Sequence, residues 1–350
     1  MPLESREMSM RVNSENGTKI ETDLTGAAQS KMFINAARAL IAYRESVLIL
    51  VILIFGLCMT FASPVFLSWR NIEAILLALS VEATIAIGMV ILLISGGLDL
   101  SVGSILAFVG VVTGLCLNVD VPVVLSILLG LLAAAAVGMV NGLLVSKMKI
   151  NPFITTLGMM ISIRGLLLVI AKGRAVLNLP ESFTVVGQGR LFNVQYPIYI
   201  MVALVIIGDI LMRNSRFMRQ NYYIGGNEKA ARLSGINVDL VKIIDYCMVA
   251  VLAGIAGLLI TARFGSSSVT VGGGLELRVI TAAIIGGASL SGGEGSVLGA
   301  FLGALFMGVL ANSLNLLGVD VYWQRLITGL ILIIAVVFDV INERRKERQK

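Results

Sequence analysis

The chain has 350 residues, of which 57% are hydrophobic and only 14% charged, with a formal net charge of +6 and a mean hydropathy of +0.94. A soluble domain needs about a quarter of its residues charged to cover its surface, so these proportions exclude an ordinary water-soluble fold. The absence of histidine removes imidazole proton relays, histidine metal sites and Ser–His catalysis.

Residues 1–45 are polar and charged, without an apolar core or a small-residue cleavage site, and are expected to form a cytoplasmic tail. Apolar runs then recur over Ser46–Phe61, Ile72–Ile94, Leu100–Leu117, Val121–Val145, Pro152–Ala171, Pro197–Met212, Ile243–Ala262, Leu277–Leu290, Ser296–Leu317 and Val321–Ile341. Most have the roughly 17–25 residues that a helix needs to cross a hydrocarbon core. The expected fold is therefore all-α: a polytopic transmembrane bundle of about ten spans over residues 46–341, with Leu277–Leu290 short enough to be re-entrant. Asn151 before Pro152, Asp120 before Pro122, and Asp320 supply helix-start chemistry. A basic tail, 342–350, closes the chain.

If every run spans and both termini are cytoplasmic, nineteen Lys and Arg residues fall on the cytoplasmic side and seven on the other, with Arg164 inside a span. That asymmetry fits the positive-inside rule and accounts for the net charge without nucleic acid, since no basic patch interleaved with aromatics accompanies it. Cys58, Cys116 and Cys247 stand singly in apolar runs, so no disulfide framework or paired-cysteine metal site is expected. No phosphate-binding GxxxxGK[ST] loop occurs. No cofactor is expected, and any ATP hydrolysis must reside on another subunit.

"GGLDLSVGSILA" (Gly96–Ala107) and "GGASLSGGEGSVLGA" (Gly286–Ala300) share a GG, a Leu-Ser, a Gly-Ser and a following apolar run. Such pairing in two halves is the pattern of internally repeated transporters with broken helices. Gly96 and Gly97 on one side, Gly286 and Gly287 on the other, permit backbone geometry that side chains forbid. Asp99 and Ser101 can cap the helix that restarts after the first break. The GxxxG pairs Gly110/Gly114, Gly138/Gly142 and Gly299/Gly303 suit close helix packing.

The longest internal cytoplasmic connection, 213–242, contains "IGGNEKAARLSGINVDLVK". Asn227 can cap a short helix with Glu228 in its first turn, Arg232 near its end and Gly235 as terminator. Two turns are too few to be stable alone, so Ala230, Ala231, Leu233 and Ile236 must lean either on the membrane domain or on a partner.

"ISGGLDLSVGS", "INPFITTLGMMISIRG", "GGNEKAARLSGINV" and "GGASLSGGEGSVLGA" resemble, in order and spacing from about Ser46 to Ile341, the signatures of ribose-type sugar permeases. These are the membrane subunits of bacterial binding-protein-dependent ABC importers. The resemblance implies an inner-membrane permease, not an enzyme, that works with a cytoplasmic ATPase subunit, a periplasmic sugar-binding protein and a second permease copy or related permease. It implicates Gly225, Gly226, Asn227, Glu228, Ala231, Leu233 and Gly235 in ATPase contact. Phe217-Met218-Arg219 departs from the Phe-Gly-Arg usual before this loop, which points to a different local turn.

Polar residues within the spans are costly and usually paired or turned to a cavity. Glu82 and Arg164 are expected to pair internally, and Asp209 and Asp245 to sit near the membrane interface. Asn141, Thr155, Thr156, Arg164, Asn312 and Asn315 form the candidate translocation path, with helix–helix hydrogen bonding as the competing role for each. An ion-coupled secondary transporter using Asp99 and Glu82 is the alternative function, and an intramembrane enzyme ranks below both for want of a catalytic constellation.

Overall fold

The computed structural model describes residues 44–347. The chain divides into two units, Met1–Val47 and Leu48–Lys350, and only the opening turn of the first helix is described in the former. The predicted tail up to residue 43, and residues 348–350, lie outside the described residues. The second unit carries the bundle. Its helices are α1 (Arg44–Ala62), α2 (Trp69–Ile94), α3 (Val102–Asn118), α4 (Val123–Ser146), α5 (Pro152–Ile170), α6 (Glu181–Gln188) and α7 (Tyr196–Asn214). There follow α8 (Arg216–Gly226), α9 (Glu228–Leu233), α10 (Val238–Phe264), α11 (Leu275–Ile285), α12 (Val297–Leu316) and α13 (Val321–Glu347).

All ten predicted apolar runs are helical. Among the described residues, eight helices (α1, α2, α4, α5, α7, α10, α12 and α13) are long and apolar enough to cross a membrane. The other two, α3 with 17 residues and α11 with 11, each adjoin a glycine break. The 342–347 segment continues α13 and is not a separate tail.

The helix starts follow local chemistry. Asn151 Oδ1 accepts the Phe153 N–H at 2.9 Å ahead of α5, and Asp320 Oδ1 accepts the Tyr322 N–H at 2.7 Å. Asp120 does not cap: it adopts φ 59° in the turn that ends α3, where its N–H bonds the Leu117 carbonyl, and Pro122 takes the position before α4. Phe217-Met218-Arg219 forms no turn at all, because Ser215 Oγ accepts the Met218 N–H and starts α8 there.

The core is built around α2 and α10. In α2, 83% of the most apolar window is buried, against 11% for α1 and 6% for α13. This ordering makes α2 the enclosed axis and leaves α1 and α13 with broad apolar faces exposed. Small residues bring the helices together: a Cβ on Gly138 or Gly142 of α4 would run into the α10 backbone at Tyr246–Cys247 and Ile243. Gly299 and Gly303 do the same for α12 against Gly286 and the Ala282 carbonyl of α11.

Besides α8, which stands where only a local turn was expected, two elements had no counterpart in the sequence reading. α6 lies in the 171–195 connection with Gly187 pressed on the α10 backbone at Ala262–Arg263. A two-stranded antiparallel ribbon, β1 (Arg190–Leu191) with β2 (Val194–Gln195), follows it and pairs Arg190 with Gln195. This ribbon and the single bridge Val176–Ser267 are the extended structure among the described residues.

Candidate functional site: the joint between the helix breaks and the loop helices

The first break begins where α2 runs out. Gly96, at φ 75°, donates its N–H to the Leu93 carbonyl at 2.9 Å, and Gly97 donates to Leu92 at 2.8 Å. These two bonds are a Schellman closure, which requires a left-handed residue that glycine supplies without strain. The second break repeats it one position later than the aligned glycines suggest. Gly287, at φ 100°, bonds Ile284 and Ala288 bonds Ala283, each at 2.9 Å. Gly96 thus corresponds to Gly287, while Gly286 ends α11 in tight contact with Gly299. Helix resumes at Val102 after the first break and at Val297 after the second, so the second is four residues longer.

Each break is fastened by a carboxylate. Asp99 Oδ1 accepts the Ser101 N–H at 2.7 Å and its hydroxyl at 2.5 Å, while Oδ2 accepts from Asn141 Nδ2 at 3.3 Å. Ser101 stands just before α3 but caps nothing; its hydroxyl donates to Asp99 and accepts from Asn141 at 3.0 Å. At the second break the carboxylate comes from another helix: Asp339 of α13 accepts from the Leu290 N–H at 3.0 Å and the Ser289 hydroxyl at 3.2 Å. Asp99, Ser101 and Asn141 are fully buried.

The extra residues of the second break reach the two glycines of the "GGNE" motif and the residues just ahead of it. The Gly293 N–H donates to the Ile94 carbonyl at 2.8 Å, joining the second break to the end of α2. Gly225 of α8 lies against that bond, so close that a Cβ there would collide with both partners. Gly292 lies against Gly225 and the Gly96 N–H, each about as near as a Cβ could tolerate (3.0 and 3.2 Å). Tyr222 donates its hydroxyl to the Gly295 carbonyl at 2.9 Å. One residue earlier, Asn221 Nδ2 donates to Asp245 Oδ1 of α10 at 3.2 Å, and both side chains are fully buried. Asp245 is therefore inside the bundle, not at the interface expected of it, because α8 folds over the start of α10. Three separate sequence motifs meet at this joint.

Beyond the joint, α9 forms as its residues dictate. Asn227 Oδ1 accepts the Ala230 N–H at 3.0 Å, and Gly235 at φ 84° follows the helix end. Ala231 is buried with Ile224, Val238 and Val241, whereas Leu233 is 90% exposed. Glu228 pairs with Lys242 at 2.7 Å and Arg232 at 2.9 Å; Asp239 pairs with Lys149 at 3.2 Å and with Arg232. Burial pushes the Glu228 carboxyl up, but hydrogen bonds from Lys242 and Arg232 and the charges of Lys242 and Lys149 outweigh it and hold the group below its ordinary range.

The residues considered for a path are dispersed. Thr156 is buried and donates to the Pro152 carbonyl; Thr155 is buried beside it with its hydroxyl unpartnered. Arg164 donates to the Val269 and Val271 carbonyls, the latter at 2.9 Å, and so fixes the loop between α10 and α11. Asn312 exchanges two hydrogen bonds with Asn71, at 2.7 and 3.1 Å, and Asn315 is exposed and accepts from Gln324. With Asn141 sealed at the first break, these six do not line one continuous surface. Glu82 pairs with Arg278 at 2.9 Å, and Asp209 with Arg213 at 2.7 Å on the outside of α7. Tyr222, Asn221, Asp339 and Arg278 escaped sequence reasoning; the available signal was a charged or hydrogen-bonding side chain within or beside an apolar run.

An apolar helical bundle with, among the described residues, eight membrane-length helices, broken segments in two halves and a polar helix held against both breaks defines a multi-pass membrane permease component. Residues 71–336 match the family described as "Branched-chain amino acid transport system / permease component". The chain is 39% identical over 281 residues to the ribose import permease protein of Escherichia coli K12, covering 79% of this chain and 88% of that protein. It is 37% identical over 305 residues to the L-arabinose ABC transporter permease protein of Azospirillum brasilense, covering 87% and 89%. The ribose import permease protein of Bacillus subtilis is 39% identical over 279 residues, covering 79% and 87%. The chain belongs to this family of permeases. No solved structure matches it.

Proposed function

We propose that the protein is the membrane-spanning subunit of a bacterial ABC importer that carries a monosaccharide or sugar-like solute across the inner membrane. The family description names branched-chain amino acids, but the relatives that cover most of both chains are sugar permeases, which favours the sugar. In this reading a cytoplasmic ATPase docks on α9, a periplasmic binding protein delivers the solute, and a second permease completes the passage. The observation that carries it is the joint: an exposed Leu233 on a helix whose neighbour, Gly225, is wedged against both breaks.

Mechanistically, closure of the ATPase dimer displaces α9 and α8 together, since Glu228 and Ala231 bind α9 to the start of α10 and Asn227 leaves no linker between the two helices. Displacement of Gly225 bears on the Ile94–Gly293 bond and so on both broken helices. Nucleotide supplies the free-energy bias between inward- and outward-open states, which a bistable joint converts into alternating access. The ion-coupled alternative would need acidic groups free to bind a cation, whereas Glu82 and Asp99 have bonded partners.

Leu233→Arg tests the coupling role. Its side chain is outside the fold, so the variant should insert and fold as the parent does while losing co-purification with the ATPase and at least tenfold of nucleotide-driven pentose uptake in membrane vesicles. Uptake that survives without the ATPase and collapses with the proton gradient would overturn the assignment.

A further inference from the structure

α11, α12 and α13 enclose a cavity of about 710 Å³ together with the loop ahead of α11. That volume is within the roughly 300–1,000 Å³ typical of small-molecule sites. Its lining includes Thr270, Gly273 and Gly274 of the loop, Val321, Gln324 and Arg325 where α13 begins, and Met307 and Leu332. From Val321 to Leu332 the wall descends about 16 Å at the helical rise. None of the six residues considered above for a path contributes to it.

The lining combines apolar walls with a few polar groups, as polyol recognition requires. The Thr328 hydroxyl donates to the Gln324 carbonyl, which turns its oxygen lone pairs, not its proton, toward a ligand. Arg278 and Arg325 supply donors, and the charge of Arg278 is already balanced by Glu82 at 2.9 Å. A neutral hydroxylated solute can bond these groups without separating that pair, whereas an anion or cation would compete with it. An ion pair within a span that borders a cavity marks a solute pathway more often than a packing contact.

α11 connects this cavity to the joint. Leu277 and Arg278 face the cavity, and the helix ends at Ile285, where Gly286 opens the break that reaches Gly225. We infer that this cavity is the entry passage for a neutral hydroxylated solute, and that α11 is the wall moved by the ATPase-docked segment. The inference rests on the sugar-permease reading and adds the passage to it.

The test uses the complete transporter in proteoliposomes, with its ATPase and binding protein, in a background whose Cys58, Cys116 and Cys247 are replaced by alanine. Leu277→Cys and Thr328→Cys variants are treated with a membrane-impermeant thiosulfonate, and [¹⁴C]ribose and [¹⁴C]arabinose uptake is followed. Modification should cut uptake at least tenfold and should slow several-fold when the pentose-loaded binding protein and ATP are present. Val337→Cys, on an exposed face of α13 outside the cavity, should show neither effect. If either variant fails to assemble, Gln324→Cys, which also lines the cavity, carries the same expectation. Pentose uptake unchanged by complete labelling, or labelling that only a membrane-partitioned maleimide achieves, overturns the passage. A parent transporter that hydrolyses ATP but carries neither pentose overturns the functional reading itself, and this inference with it.

Discussion

At Gly225 a hydrogen atom in place of a side chain lets α8 rest on a bond between two distant parts of the chain, the Ile94 carbonyl and the Gly293 N–H. Its neighbour Gly226 has open space where a Cβ would stand. The two glycines look alike in sequence and should behave differently. Gly225→Ala must displace backbone, an overpacking cost of about 1–3 kcal/mol, whereas Gly226→Ala should be near neutral. Thermal unfolding of the detergent-solubilised protein, read beside nucleotide-driven uptake, checks this: a lowered midpoint and lost uptake are expected for the first variant alone. The "GG" was legible only as part of a segment that the family resemblance assigns to ATPase contact. Which of the pair was indispensable was not, because the colliding groups come from 131 positions before Gly225 and 68 after it.

At the scale of an element, α9 shows how a six-residue helix persists where isolated helices of that length do not. One buried alanine and two carboxylates hold it to the bundle. The Glu228 carboxyl is held below its ordinary range, so its pairing contributes fully above that range and is lost as pH falls through the depressed value. Hydrogen exchange in α9 should therefore accelerate only on acidification below the usual glutamate range. The change should be modest, since partly exposed pairs are worth about 0.2–1 kcal/mol each and weaken in salt. Glu228→Gln should show faster exchange at neutral pH and a flatter acid response; an unchanged profile would remove Glu228 from the fastening of α9. The cap, the acidic first turn and the Gly235 stop were readable because they are contacts between residues a few positions apart. α6 was missed because eight residues between Pro180 and Gly189 give too little periodicity, and its burial comes from α10.

For the whole molecule, the described structure fixes which helices are enclosed and which face outward, and the charge asymmetry argues for the orientation. If both termini are cytoplasmic, as that asymmetry argues, the 171–195 connection faces the periplasm. A fluorescent protein fused after Lys350 should fluoresce, and alkaline phosphatase inserted at Asn178, at φ 58° in the turn before α6, should be active. The reverse pattern would invert the bundle and place α9 beyond reach of a cytoplasmic ATPase.

The sequence by itself determined the class, the ten helical runs, the two glycine breaks and the short capped helix, because each depends on hydropathy over a span or on backbone chemistry within a few residues. Tertiary structure alone decided that the breaks and α8 form one joint, that Asp339 serves the second break as Asp99 serves the first, and that Asn141 is sealed while Arg278 and Thr328 border a cavity. The physical reason is that a bundle's function lies in which polar groups its close-packed faces bring together. Those faces are so uniformly apolar that periodicity carries almost no record of their partners.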